Sequence, residues 1–183
     1  MRASVGSVAQ SCCQVWWTQQ VGWLVFPTAE VRGSYLDGER ELSTEEGADP
    51  AWLDRAAADF EGFVDRLLAP GRSWGVPVTQ LWYVAGATYV GTVVIRRELT
   101  PELARVGGHI GYHVVPSHRR RGNAGRMLAG ALVFCAHFGL RQVLLTCAPT
   151  NEASRKVIEA NGGQPDGTAD GELRYWIPTS AVR

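Results

Sequence analysis

The stretch 109-HIGYHVVPSHRRRGNAGRMLAGALVFCAHFGLRQVLLTCAPTNEASRKVIEANGG-163 decides the fold that we expect for this chain. It begins with a strand pattern that Pro116 ends, because proline cannot donate a ladder hydrogen bond. A glycine-rich turn then leads into a long amphipathic helix pattern. A second apolar strand, residues 142–147, and a second short helix follow. Each part is consistent with a site for one anionic ligand.

The turn from Arg119 to Gly125 is the candidate anion site. A glycine-rich turn at a helix N-terminus presents unpaired backbone N–H groups to phosphate, and the helix dipole favours negative charge there. Glycine lets the backbone approach the ligand closely, and arginines add charge-assisted donors. We therefore expect this turn to bind a pyrophosphate carrier.

Two familiar phosphate loops do not match this turn. The chain has neither GxxxxGK[ST] nor GxGxxG with an acidic residue about 20 positions on. What remains is Arg119-x-x-Gly122-x-Ala124, which resembles the [QR]-x-x-G-x-[GA] acyl-CoA signature of the GNAT (GCN5-related N-acetyltransferase) superfamily. Asn151-x-x-Ser154 follows at the start of the second helix. In this order the parts are similar to the family's core, over roughly the last two-fifths of the chain.

The resemblance implies an α/β GNAT acyl-CoA N-acyltransferase fold. This is a mixed, mostly antiparallel twisted sheet with helices on both faces and a splayed central strand pair. We assign residues 21–183 to this domain. Residues 1–20 are an N-terminal extension, for which disorder and an upstream start of translation both stay open.

The same resemblance implies acetyl-CoA as cosubstrate. The expected activity is acetyl transfer to a primary amine of a small molecule by direct attack in a ternary complex. A ping-pong route through Cys147 is a lesser alternative. Two other readings stay open: a non-catalytic CoA-binding module, and a transferase that uses another activated acyl carrier, even an aminoacyl-tRNA.

The resemblance also assigns the cofactor-binding residues. In family members the central strand splays from its neighbour here, and free backbone N–H groups hold the thioester and the pantetheine arm. Asn151 also suits a helix cap, since Asn is a preferred capping residue. The expected set is Val114, Val115, Arg119, Arg120, Arg121, Gly122, Asn123, Ala124, Gly125, Asn151 and Ser154.

One position departs from the family pattern. Many members carry a tyrosine on the last helix, four positions after the serine or alanine, which protonates the CoA thiolate. Here that position is Ile158. Protonation of the thiolate must therefore come from water or another residue.

Three residues on the central strand are candidates for the catalytic base. His109 stands where some members place a catalytic glutamate, and an imidazole with a pKa near 6.5 accepts a proton at neutral pH. His113 lies four residues on, hence on the same strand face. Tyr112 lies on the other face. We expect His109 first, with His113, Tyr112 or water as alternatives. For each histidine the other interpretation is a hydrogen-bonded core or edge residue, which weighs about equally for His109 and is favoured for His113.

Weaker patterns complete the element order. Residues 23–26 suit a first strand and residues 29–41 a helix, while residues 43–50 read as an acidic loop. A longer helix then runs from residue 50 to residue 69. In this fold the first two helices and their loop usually form one wall of the acceptor site, although their charges, Glu39 among them, are more typical of a solvated face. The other predicted strands are residues 80–84, 89–96, 109–115, 142–147 and 175–177.

Composition and charge narrow the function classes. Eighteen Lys and Arg balance eighteen Asp and Glu, so we expect no nucleic-acid and no membrane partner. Cys12 and Cys13 are adjacent, which is poor disulfide geometry, and Cys135 and Cys147 lie in apolar runs. Buried reduced thiols in a cytoplasmic protein are therefore expected. No metal-binding spacing appears, and we expect a monomer or homodimer.

Overall fold

The computed structural model describes residues 22–179 of the chain. The predicted extension, residues 1–20, lies outside this range, as do Cys12 and Cys13. The described strands are β1 (Trp23–Val25), β2 (Gly71–Ser73), β3 (Val76–Ala85), β4 (Thr88–Arg96), β5 (Ile110–Val114), β6 (Gln142–Cys147), β7 (Gln164–Ala169) and β8 (Glu172–Pro178). The helices are α1 (Arg32–Glu46), α2 (Ala51–Ala58), α3 (Phe60–Leu68), α4 (Pro101–Arg105), α5 (Asn123–His137) and α6 (Glu152–Ala160).

The strands form two antiparallel sheets. The first has the order β1-β3-β4-β5, with β2 paired to β3, and the second has the order β6-β8-β7. Helices α1 and α5 both contact β4, and residues from the two helices belong to separate buried clusters. The mixed α/β architecture that the sequence predicts is confirmed.

The two sheets meet at one junction between the start of β5 and the middle of β6. The backbone N–H of His109 donates to the carbonyl of Leu144 at 2.7 Å. The N–H of Leu144 donates in turn to Nδ1 of His109 at 2.8 Å. Gly108 (φ 59°) lies so close to Leu144 that a Cβ there would overlap its carbonyl oxygen. Past this junction β5 and β6 share no ladder, so their carboxyl ends diverge.

Two clusters of buried side chains pack on either side of the first sheet. One joins β3, β4 and β5 to α5 and to the second sheet. The other lies under α1, α2 and α3 and is rich in aromatic rings. Tyr35 is its centre: it stacks on Trp82 with 4.3 Å between ring centroids and contacts Phe60 and Tyr89. This packing fixes α1 over β4, beside the end of β5.

The helices differ from the sequence prediction in two places. Helix α1 runs to Glu46, four residues into the predicted acidic loop, because Ser43 is buried and Gly47 (φ 66°) first permits the left-handed cap. The predicted long helix is broken at Asp59, whose side chain caps the N–H of Gly62 at 3.0 Å and starts α3.

Three short elements were not predicted: β2, β7 and α4. Helix α4 begins where Thr100 caps the N–H of Leu103 at 3.2 Å and Pro101 occupies the first turn. None of the helices between residues 22 and 179 is long and apolar enough to cross a bilayer.

The His109 junction leads to a stability prediction. His109→Ala leaves the Leu144 N–H buried without its acceptor, and we expect it to lower the free energy of unfolding by about 2 kcal/mol. Burial lowers the pKa of His109 to about 4, below the value near 6.5 of an unfolded imidazole. The unfolded state therefore binds more protons between these values. The contribution of the neutral His109 ring to the free energy of unfolding is therefore complete above about pH 6.5 and falls by on the order of 3 kcal/mol as the pH drops to 4.

Denaturant titrations of the wild type and His109→Ala at pH 7.5 and pH 5 measure both effects. His137→Ala is the control, because His137 is exposed on α5 and bonds only the Val133 carbonyl of its own helix. The wild type and the control should lose more stability at pH 5 than His109→Ala does. An equal loss in all three proteins would contradict the assignment.

Candidate active site

A cavity of about 690 Å³ opens where β5 and β6 diverge. Its walls are the end of β5, the turn before α5, the first turn of α5 and the first two turns of α6. The predicted site residues that line it are Tyr112, His113, Val114, Arg119, Arg120, Gly122, Asn123, Ala124, Gly125, Asn151 and Ser154. His109, Val115 and Arg121 do not line it.

The end of the cavity where the sequence predicts anion binding is the N-terminus of α5. Gly122 has a φ of 74°, which turns the chain into the helix in a conformation that favours glycine. Asn123, Ala124 and Gly125 are the first three helical residues, so their N–H groups have no acceptor one turn back. The Asn123 side chain donates to the carbonyl of His118 at 2.9 Å and braces the turn. These amides suit a pyrophosphate.

The three arginines of the turn have different surroundings. Nε of Arg119 donates to the Val114 carbonyl at 3.0 Å, and its two terminal nitrogens each lie 2.7 Å from a carboxylate oxygen of Glu45. Arg120 lines the main cavity and adopts a positive φ of 62°. Arg121 instead lines a neighbouring cavity of about 240 Å³ with Arg126, and this cavity shares His118 and Asn123 with the first. We expected all three arginines to hold one pyrophosphate. Of the three, Arg120 has the surroundings that best suit this role.

The backbone at the end of β5 offers one outward N–H group rather than two. The N–H of Val115 donates to the carbonyl of Val90 at 2.9 Å, within the first sheet. Because successive residues of a strand point their amides to opposite edges, the N–H of Val114 faces the open edge. The side chain of Val115 is buried under α1. The sequence expectation of a free donor at Val115 is thus wrong, while Val114 retains one.

His113 reaches the cavity as part of a hydrogen-bonded pair. Its Nε2 lies 2.9 Å from Oε1 of Glu39 on α1. The hydroxyl of Tyr89 donates to the same carboxylate oxygen, and lies 2.8 Å from the hydroxyl of Thr92. Burial, followed by the Glu39 carboxylate, raises the pKa of Tyr89 above its ordinary value. Tyr89 therefore stays protonated and keeps the carboxylate in place.

Glu39 is the functional candidate that sequence reasoning placed on a solvated face. It is only 8% exposed. A signal was present, since Glu39 follows Tyr35 by four residues and precedes Leu42 by three, the spacing of one buried helix face. A carboxylate on an apolar stripe needs a partner, because burying an unpaired charge is costly. That partner is His113, on another element.

On the other face of β5, the hydroxyl of Tyr112 lies 3.0 Å from Oγ of Ser154 on α6. Burial raises the pKa of Tyr112. Asn151 caps α6 through a 3.0 Å bond from the Ser154 N–H to its Oδ1, and it also lines the cavity. Its cap function and the expected place beside the ligand are therefore compatible.

His109, the first-choice base from sequence, is placed at the sheet junction instead. Its Nδ1 lone pair is occupied by the Leu144 N–H, and the ring is 6% exposed. A nitrogen that already accepts a buried hydrogen bond is not free to accept a substrate proton. The geometry therefore gives His109 a structural function at the junction of the two sheets.

Cys135 and Cys147 are both buried and form no disulfide. Cys147 does not line the cavity, which gives a ping-pong route through this thiol no support. Among residues 22–179 there is no group of three His, Cys, Asp or Glu side chains arranged to hold a metal ion.

Comparison with known proteins agrees with this geometry. A family model described as an acetyltransferase (GNAT) domain matches residues 37–164. A solved structure of Mycobacterium smegmatis RimJ in complex with CoA-disulfide aligns with a TM-score of 0.59 and 22% identity, over 86% of this chain and 85% of that one. RimL, a ribosomal L7/L12 alpha-N-protein acetyltransferase in complex with coenzyme A, aligns with a TM-score of 0.58 and 13% identity, over 87% and 94%.

A third structure is the microcin C7 self immunity acetyltransferase MccE in complex with acetyl-CoA and AMP. It aligns with a TM-score of 0.58 and 13% identity, over 85% of this chain and 91% of that one. At these identities the three structures show a shared fold. A search of curated protein sequences found no significant match.

The family model covers well over half of the chain and includes the whole cavity wall from β5 to α6. The free amides at the start of α5, the Arg120 guanidinium and the open edge of β5 fit the phosphates and the amide-bearing arm of acetyl-CoA. The chain belongs to the GNAT family of acetyltransferases, enzymes that take the acetyl group from acetyl-CoA.

Proposed function

We propose that the protein transfers the acetyl group of acetyl-CoA to a primary amine of a small molecule, by direct attack of the amine in a ternary complex. The observation that carries this proposal is that His113, which lines the cavity, is hydrogen-bonded to the buried carboxylate of Glu39. This pair supplies a base next to the open strand edge where a thioester fits.

The hydrogen bond to Glu39 places the proton and the lone pair of His113 as a general base requires. A carboxylate only accepts hydrogen bonds, so the bond to Glu39 places the proton of a neutral His113 on Nε2. The lone pair is then on Nδ1, for which residues 22–179 supply no hydrogen-bond donor. Nδ1 accepts a proton from the substrate ammonium, directly or through water, and the Glu39 carboxylate stabilises the resulting imidazolium.

The other cavity residues orient the donor. Acetyl-CoA, when bound, supplies the activated thioester carbonyl. The amides of Asn123, Ala124 and Gly125 and the guanidinium of Arg120 bind its phosphates. The N–H of Val114 holds the extended arm at the strand edge, and Asn151 lies on the opposite wall.

A small-molecule amine is the acceptor that we propose. A peptide α-amine is the alternative, because the structurally similar RimL is described as an α-N-protein acetyltransferase. An assay of thiol release with a panel of small amines and peptides decides between them, and release with peptides alone would contradict the small-molecule proposal.

Gly122→Glu tests the phosphate site. An ideal Cβ at Gly122 meets no atom nearer than 3.7 Å, the Arg126 guanidinium, so there is room for a side chain, although the positive φ strains it. Gly122 lines the cavity, so the added carboxylate places a negative charge beside the proposed phosphate site. We expect the dissociation constant for acetyl-CoA, measured by calorimetry, to rise by about tenfold or more, since a charge-assisted hydrogen bond contributes about 1.5–3 kcal/mol.

Gly139→Glu is the matched control for this experiment. Gly139 also has a positive φ, 82°, and open space around it, but it follows the far end of α5. The Gly139→Glu variant therefore has the same kind of backbone strain and the same added charge as Gly122→Glu. Unchanged affinity in Gly122→Glu, or an equal loss in both variants, would contradict the phosphate assignment.

His113→Ala and Glu39→Gln test the base. We expect His113→Ala to lower kcat/KM by about 10²–10⁴-fold and to remove the rise in rate with pH that an imidazole base produces. Glu39→Gln preserves the shape but not the charge, so we expect a smaller loss in the same direction. The pH profile of kcat/KM measures both, with His137→Ala as a control, and an unaltered profile in His113→Ala would move the base elsewhere.

A further inference from the structure

Helix α6 offers no acid at the position where the family pattern has a tyrosine. Ile158 occupies that position, is 0% exposed and belongs to the main buried cluster. The thiolate that leaves during acetyl transfer is stabilised when it is protonated or hydrogen-bonded as the bond breaks. The proton therefore comes from water or from another group on the cavity wall.

Tyr112 is the only phenol among the residues that line the described cavity. Its ring comes from β5, on the same strand face as Ile110 and Val114, and it packs against the main buried cluster. Its hydroxyl crosses the gap between β5 and α6 to reach Oγ of Ser154 at 3.0 Å. The phenol therefore projects into the space between β5 and α6, near the turn of α6 that precedes Ile158.

His113 and Tyr112 approach the open edge of β5 from opposite faces. His113 lies on the face of α1, where it bonds Glu39, and Tyr112 lies on the other face, where it bonds Ser154. A base on one side of the thioester and an acid on the other is the arrangement that acetyl transfer requires, because one proton leaves the amine while another joins the sulfur.

We propose that Tyr112, with Ser154 beside it, donates the proton that the sulfur of CoA takes when the carbon–sulfur bond breaks. The inference rests on the proposed function. The amine nitrogen forms a bond to the acetyl carbon, and the carbon–sulfur bond breaks with both electrons on sulfur. The Tyr112 hydroxyl gives its proton to that sulfur. The phenolate then recovers a proton from water through the Ser154 hydroxyl, while the amine proton leaves by way of His113.

The surroundings keep Tyr112 protonated until it is used. Burial is the main cause that raises the Tyr112 pKa; the Ser154 hydrogen bond lowers it in part, and Cys147, at the end of β6, adds a smaller upward effect. On α6, Lys156 and Glu152 neutralise each other in an exposed ion pair at 3.4 Å. The cationic groups of the turn are Arg119, held by Glu45, and Arg120. His113, on the opposite face, is engaged by Glu39.

The first test measures the pKa of the thiol of bound CoA and needs no acceptor amine. The ultraviolet absorbance of the thiolate is measured as a function of pH for CoA bound to saturation by each of four proteins. These are the wild type, Tyr112→Phe, Ser154→Ala and Tyr175→Phe. A hydroxyl that donates to the thiolate stabilises it, so the thiol pKa should be lower by about one unit in the wild-type complex than in Tyr112→Phe. Tyr175→Phe is the control, since this buried phenol bonds Glu159 and lies outside the cavity wall.

The second test measures kcat and the KM for acetyl-CoA with the best acceptor from the amine panel. Tyr112→Phe should lower kcat by about 10–100-fold while the KM for acetyl-CoA stays within about twofold, because the proton is needed only as the bond breaks. Ser154→Ala should show a smaller loss. Tyr175→Phe should match the wild type.

The outcomes separate this inference from the function on which it rests. If CoA binds all variants with one thiol pKa, Tyr112 is not the donor, and the acetyltransferase proposal stands. If the wild type does not bind CoA, both fail. A loss of turnover in Tyr112→Phe that appears only in KM, or with equal thiol pKa values, gives Tyr112 a purely structural function and overturns the inference.

Discussion

The single junction between Gly108–His109 and Leu144 is the constraint on which the site depends. The two sheets are joined there by a backbone hydrogen bond and by the bond from the Leu144 N–H to the His109 ring. An imidazole supplies the acceptor that a strand carbonyl supplies in a continuous ladder. The sheet is therefore closed at this point and open beyond it, and the open edge of β5 keeps polar backbone groups for a ligand.

Helix α1 completes the site through its acidic side chains. Glu39 bonds His113, Glu41 accepts the N–H of Ser117 at 2.6 Å, and Glu45 holds Arg119. These three contacts join the helix to the strand and turn that line the cavity. Displacement of α1 would disturb His113 and the turn before α5 together, so the position of this helix links the expected acceptor wall to the turn that we propose binds the phosphates.

The sequence was sufficient for the parts of the site that are local. Gly122, the helix after it and the Asn151 cap are specified by residues close together in the chain, and the structure places all of them around one cavity. Contacts between residues that are far apart in the chain could not be predicted from local sequence patterns. Whether an imidazole near the start of β5 faces substrate or a neighbouring strand depends on where Leu144 lies, 35 residues away. Glu39 and His113 are separated by 74 residues, and only folding brings them together.

The three consecutive arginines illustrate the same limit within one turn. Their shared charge suggests a shared function, yet the backbone sends them apart, because Arg120 adopts a positive φ of 62° while its neighbours do not. Arg119 is neutralised by Glu45 and fixes the Val114 carbonyl, which leaves the adjacent amide of Val114 aligned at the open edge. Arg120 then lines the main cavity without a carboxylate partner among the described residues. A motif defined by residue types thus divides into one arginine that shapes the site and one whose charge is available to a ligand.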